Sequence, residues 1–259
     1  SINKSSIKDA ILIFGRGCTG EIVSNQGLIF TNHHCGYEAI AGASSVEHNY
    51  LRDGFYAYNK DQEIKSQITV QFLDRIVDVT QEVEAAVKGL SWAERVAKIP
   101  EVYKSITEKV ADKENGLAGR VYSMFKGNQY LMYVYKVYKD IRLVGTPPES
   151  VGKFGGDTDN WEWPRHTCDY SVYRIYGNKA GKPADYSTDN VPLKPKHFLP
   201  VSLKGVKDGD YAMIYGYPGS TNRYETSYGI KLKNDIDNPS LVNLRDVRLK
   251  LMHEQMIKD

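Results

Sequence analysis

Two short stretches hold most of the residues that could do acid–base or nucleophilic chemistry. The first is Thr31-Asn32-His33-His34-Cys35, preceded by Cys18 in Gly17-Cys18-Thr19-Gly20. The second is Phe154-Gly155-Gly156-Asp157-Thr158-Asp159-Asn160-Trp161-Glu162-Trp163-Pro164-Arg165-His166, which leads to Cys168 and Asp169. A histidine with a fixed ring can take a proton from a hydroxyl and return it to a leaving group. A carboxylate on its far nitrogen orients the ring and stabilises the imidazolium. Asp169, at the mouth of an alternating strand, suits that role, and Asp157 and Asp159 in the Gly-rich loop are its rivals.

Soft ligands also gather here: Cys18, His33, His34, Cys35, His166 and Cys168. Zinc would take such groups. On an extended chain, however, His33, His34 and Cys35 point in alternating directions and do not converge, so no metal and no cofactor is assigned. Three cysteines allow one disulfide and one free thiol, or a metal or redox set. Ser24-Asn25-Gln26-Gly27 is a turn cluster, which puts Cys18 and Cys35 on adjoining ends of one hairpin. A bridge there would hold His34 at a strand end, whereas Cys168 reads as a free, partly buried thiol. Gly15-Arg16-Gly17-Cys18-Thr19-Gly20 matches a dinucleotide fingerprint, but the turn at Ser24 excludes the helix that motif needs. Asp157-x-Asp159-Asn160 starts like a calcium loop and fails at Trp161 and Glu162.

The elements that must carry these residues are mostly strands. Apolar or alternating runs predict strands over Ala10–Phe14, Leu28–Phe30, Ile68–Val79, Gln129–Val144 and Cys168–Tyr176. Phe198–Leu203 and Asp210–Tyr215 read as strands of a second sheet. Gly36–Asp61 reads as loop, and Asn178–Pro195 as a polar linker. Between Thr80 and about Lys126, Val83, Val87, Val96, Ile99 and Ile106 recur at helical spacing, with Pro100 and Gly116 dividing the segment into helices. Helical spacing returns near Leu241 and the chain stops inside it, which reads as an interrupted domain.

Composition sets the limits. The chain has 259 residues, 41% hydrophobic and 25% charged, with a net charge of +2. That balance gives no reason to expect nucleic acid as partner. No apolar run is long enough to span a membrane, and no signal peptide is visible in the sequence, which starts at Ser1 rather than Met and so is expected to have lost upstream residues. Nineteen tyrosines suit an exported protein.

The motifs GCTGEIVSNQGLIFTNHHCGYEAI, FGGDTDNWEWPRHT and GYPGSTNRY, in that order, resemble the bacterial dipeptidyl-peptidase 7 and dipeptidyl-peptidase 11 family of exported serine exopeptidases. The resemblance implies a mainly β fold, a chymotrypsin-like double β-barrel with helical insertions. Residues 1–190 would form the first barrel with a helical insertion at about 80–127. Residues 191–230 would start the second barrel, and 231–259 would start a helical domain. It also implies release of dipeptides from free peptide N-termini, a homodimer at full length, and a periplasmic, cell-surface or secreted location in a Gram-negative bacterium. By motif, His34 is the general base and Asp169 its orienting carboxylate. Asn160 and Trp161 hold the substrate's α-amino group, an amide oxygen and an indole face both being fit to meet an ammonium. The same resemblance joins Cys18 to Cys35.

One part of the pattern is missing. No Gly-x-Ser-Gly nucleophile motif occurs in the sequence, and Ser220, in Gly219-Ser220-Thr221, lacks the following glycine. The chain alone is therefore expected to be inactive. The competing reading is a non-catalytic trypsin-like module that binds peptide N-termini.

Overall fold

The computed structural model describes residues 3–155, 164, 166–219 and 224–258. It is mainly antiparallel β-sheet with helices. β1 (Ile11–Phe14) is an unbroken apolar run and is buried at every position. β2 (Cys18–Ile22) and β3 (Leu28–Thr31) form the hairpin read from the sequence, with Ile22 opposite Ile29. Its turn is closed by Ser24, whose hydroxyl accepts from the amides of Gln26 and Leu28. α1 (His33–Ala43) and α2 (Tyr50–Asp53) follow, then the short β4 (Phe55–Tyr56) and β5 (Ile64–Lys65). β6 (Val70–Asp78) leads to α3 (Thr80–Ala86) and α4 (Trp92–Glu108). β7 (Leu117–Met124) and β8 (Gln129–Tyr138) form a hairpin, and β9 (Asp140–Thr146), α5 (Glu149–Gly152), β10 (Ser171–Gly177) and β11 (Val191–Pro192) follow.

These strands make one 11-stranded sheet in the order β4-β9-β10-β3-β2-β1-β6-β8-β7, with β11 on β10 and β5 on β9. The sheet curls on itself. Leu12 and Phe14 of β1 share a single apolar cluster with Val70 and Tyr138 on one flank and Ile141, Leu143, Tyr173 and Ile175 on the other. Ile40 of α1 is wholly buried in that cluster. Burying a side chain of this size contributes about 1.5–3 kcal/mol, enough to dock the helix against β10.

Five expectations are corrected. Gly36–Asp61 is not loop, because α1 and α2 occupy much of it. α4 runs through Pro100 without a break. Ser91 and Glu94 cap its start reciprocally, and Val102 and Ile106 bury its second half, which offsets the lost amide. The helical insertion ends near Glu108, since Leu117–Met124 is a strand paired along its whole length with β8. Finally, Phe198–Leu203 and Asp210–Tyr215 contain no strand among the described residues. Among the described residues their alternation builds no ladder beyond the single bond from the Leu199 amide to the Ile22 carbonyl, and Leu203 and Ile214 are fully exposed. The polar segment 178–195 is also more than a linker, because Val191–Pro192 joins the sheet edge.

Residues 219–259 form a separate compact unit. It consists of α6 (Ser227–Leu232), capped by Thr226, a π-helical turn over Lys233–Asp237, and α7 (Asn238–Met256). Among the described residues, no helix is long and apolar enough to cross a membrane.

Candidate active site

His33 and His34 open α1 rather than ending a strand. The chain leaves β3 at Thr31, and Asn32 turns it into the helix: its carbonyl accepts from the amides of Cys35 and Gly36. On a helix, successive side chains diverge by about 100°. The two histidines therefore part ways for a different reason than strand alternation. The side chain of His34 is 67% exposed, whereas His33 is buried.

α1 lies hard against β10. A Cβ at Gly36 would stand 2.5 Å from the Tyr173 hydroxyl and 2.7 Å from Ser171 Oγ, so only glycine permits this approach. The contact places the start of α1 beside the residues that lead into β10, and Asp169 is among them. His34 Nδ1 lies 2.7 Å from Asp169 Oδ2. The backbone amide of His34 donates to Asp169 Oδ1 at 3.1 Å. The Asn32 side-chain amide donates to Asp169 Oδ2 at 3.2 Å and to its carbonyl at 3.1 Å. Asp169 thus occupies the N-terminus of a helix from far along the chain, satisfying one of the free amides there and meeting the positive end of the helix dipole. A carboxylate that accepts at Nδ1 leaves that nitrogen carrying the proton and Nε2 carrying the lone pair. Chemically, this is an oriented, accessible base.

Cys18 and Cys35 are bridged. Their sulfurs and a His34 ring nitrogen lie within 4.8 Å of one another. That corrects the expectation that His34 and Cys35 point apart, but the sulfurs are joined to each other and offer no thiolate. The bridge ties α1, one residue after His34, to the start of β2. With a sequence separation of 17, it should contribute about 3 kcal/mol through the unfolded state. Replacing both cysteines by serine is expected to lower the urea midpoint accordingly. A double variant with an unchanged midpoint would show that the bridge adds no stability.

Cys168 is free, as read, but exposed rather than partly buried. Asn160, Trp161, Asp157, Asp159 and Ser220 lie outside the described residues. Four further residues are not marked out for a role by the motifs. Asn32 holds the carboxylate, and an Asn directly before a helix is a recognisable signal. Ser171 Oγ donates to the Asn32 carbonyl at 3.0 Å. Tyr170 and Tyr56 share a hydrogen bond of 2.6 Å between hydroxyls. Burial, aided by that bond, pushes Tyr56 up to about 12.

Comparison with known proteins agrees with the motifs. The Asp/Glu-specific dipeptidyl-peptidase of Porphyromonas gingivalis is 47% identical over 264 residues, which cover 99% of this chain and 37% of the relative. Dipeptidyl-peptidase 7 of Phocaeicola vulgatus is 48% identical over 265 residues, covering 98% of this chain and 36% of that protein. The crystal structure of Porphyromonas endodontalis DPP11 in complex with substrate matches with a TM-score of 0.86 at 42% identity, over 99% of this chain and 38% of that one. The chain therefore spans well under half the length of these relatives. A family model described as peptidase S46 matches residues 1–259, and with relatives this similar along the whole sequence, the chain belongs to the peptidase S46 family.

Proposed function

We propose that this chain carries the acid–base pair of a serine dipeptidyl-peptidase that releases dipeptides from free peptide N-termini. His34 is the general base, and Asp169 holds its tautomer and stabilises the imidazolium. The nucleophilic serine and the oxyanion donors come from the part of the relatives that this chain does not span. The observation that carries this reading is the 2.7 Å contact between His34 Nδ1 and Asp169 Oδ2 on a ring otherwise open to solvent. A module that only binds N-termini has no use for an oriented imidazole, so the catalytic reading is preferred over the trypsin-like binding module. The names of the relatives support dipeptide release.

The finer assignments belong to the same proposal. The curled sheet, β11 included, is the first of two chymotrypsin-like barrels, the second begins beyond Pro192, and the helices from Ser227 begin a helical domain. The full-length protein is a homodimer that acts in the periplasm or at the cell surface. Asn160 and Trp161 take the substrate's ammonium.

The test uses a protein of the relatives' length that contains this chain. Free-N-terminal dipeptidyl chromogenic substrates should be cleaved, and their N-acetylated counterparts should react at least about 100-fold more slowly, because a polar site left without its partner discriminates strongly. Asn160→Ala should narrow that gap by weakening the free substrates. Equal cleavage of free and acetylated peptides would refute the N-terminal recognition. The 259 residues alone should cleave neither.

A further inference from the structure

His33 is the buried titratable group closest to the proposed base, and the mechanism above gives it no task. The residue is 1% exposed, and its Nε2 has no hydrogen-bond partner among the described residues. Its ring rests on the backbone of Gly152, the last residue of α5. A Cβ at Gly152 would stand 2.6 Å from His33 Cδ2 and 2.7 Å from Cγ, so the two surfaces are in full contact. Tyr37, one turn further along α1, meets the ring edge-on with centroids 6.2 Å apart.

α5 passes this contact to the other half of the site. The Gly152 carbonyl accepts from Thr167 Oγ1 at 2.9 Å. The Val151 carbonyl accepts from the Cys168 amide at 3.1 Å. Asp169 is the next residue, and it returns to His34, the neighbour of His33. A closed circuit results: His33 ring, α5 backbone, Thr167–Cys168, Asp169, His34.

We infer that His33 is a positioning residue, a neutral wedge between α1 and α5 that sets the separation of His34 and Asp169. Its catalytic consequence rests on the proposed roles of those two residues, whereas the geometric claim does not. Among the described residues, the charged or titratable groups that act on the ring are Asp169, Glu149, His34 and Lys153. Desolvation by burial outweighs Asp169 and Glu149 and holds His33 below its ordinary value of 6.5. The unfolded chain therefore binds this proton more readily than the folded one. Stability from the neutral wedge is complete above about pH 6.5 and declines as pH falls through that value toward the lowered folded one.

The decisive readout is the tautomer of His34, seen by long-range proton–nitrogen correlation of the labelled 259-residue chain. Bonded to Asp169, the ring should carry its proton on Nδ1 at pH 7.5. His33→Ala should return His34 to the Nε2–H form usual for a free imidazole. Gly152→Ala, which pushes the ring away, should do the same and serves as the test should His33→Ala fail to fold. His33→Phe keeps a neutral ring in place and should retain the Nδ1–H form. Retention of the Nδ1–H tautomer in folded His33→Ala, or its loss in folded His33→Phe, would overturn the proposal. In a protein of the relatives' length, His33→Ala should lower kcat by about 100-fold, the effect of a misplacement near 1 Å, with KM little changed and His33→Phe restoring the rate. If His34→Ala left activity intact while the tautomer behaved as expected, the catalytic reading would fall and the positioning role would stand.

Discussion

Replacing His34 by alanine in a protein of the relatives' length is expected to lower kcat by about 10⁶-fold, the scale seen when a serine peptidase loses its base. The reasoning starts from the ring. Nδ1 is taken by Asp169 at 2.7 Å, so Nε2 is the atom able to receive a hydroxyl proton. Without it the proposed serine nucleophile would stay protonated and attack poorly at neutral pH. Asp169→Asn should cost less, about 10⁴-fold, because it keeps the shape and imposes the wrong tautomer. KM for a free-N-terminal dipeptidyl substrate should change little in either variant, since neither group is proposed to hold the ammonium. Initial rates with a dipeptidyl nitroanilide would settle both numbers. A His34→Ala enzyme within tenfold of the parent would remove His34 from the mechanism, and the same rate loss on His33→Phe would transfer the role to its neighbour.

The second large effect is on stability and arises at the other end of β10. Asp140 is wholly buried and Arg142 nearly so. The guanidinium donates to both Asp140 oxygens, at 3.0 and 2.8 Å, and to the Ser187 carbonyl at 2.9 Å. Its charge lies 3.7 Å from the centroid of the Tyr176 ring. The Asn190 side chain donates to Asp140 Oδ2 at 2.9 Å, so this pair also pins the polar segment that ends in β11. Asp140→Ala would leave a buried guanidinium without its counter-charge. Breaking one side of such a pair typically costs about 3–5 kcal/mol, a large share of a domain's stability. Urea unfolding of the 259-residue chain should show it as a lower midpoint. The double change Asp140→Leu with Arg142→Met should recover much of the loss, since removing both charges also removes their desolvation. If the double variant were no more stable than Asp140→Ala, the pair's cost would lie in packing rather than in charge.

Much of this protein follows from local sequence alone. The unbroken apolar run Ile11–Phe14, the hairpin around Ser24–Gly27 and the alternation before Tyr176 mark strands, because burial on one or both faces imposes its period on any chain that forms them. That His34 would meet Asp169, and Cys18 pair with Cys35, was expected from the motifs. The geometry that joins them was not. His33-His34-Cys35-Gly36 contains no strong helix former, and it becomes helical where Ile40 enters the core, Cys35 is bridged to β2, and Asp169 arrives from far along the chain to satisfy the first turn. Leu117–Met124 carries Ala, Gly, Arg and Ser and has little strand character of its own, and its full-length pairing with β8 decides the matter. The reverse holds for Phe198–Leu203 and Asp210–Tyr215, whose alternation forms no strand ladder among the described residues. Local pattern specifies which face of an element is apolar, but a strand exists only with a partner, and a helix start buried in a fold needs groups for its free amides. Those partners lie at long sequence distance, so tertiary structure alone could place Asp169 against His34 and turn His33 inward.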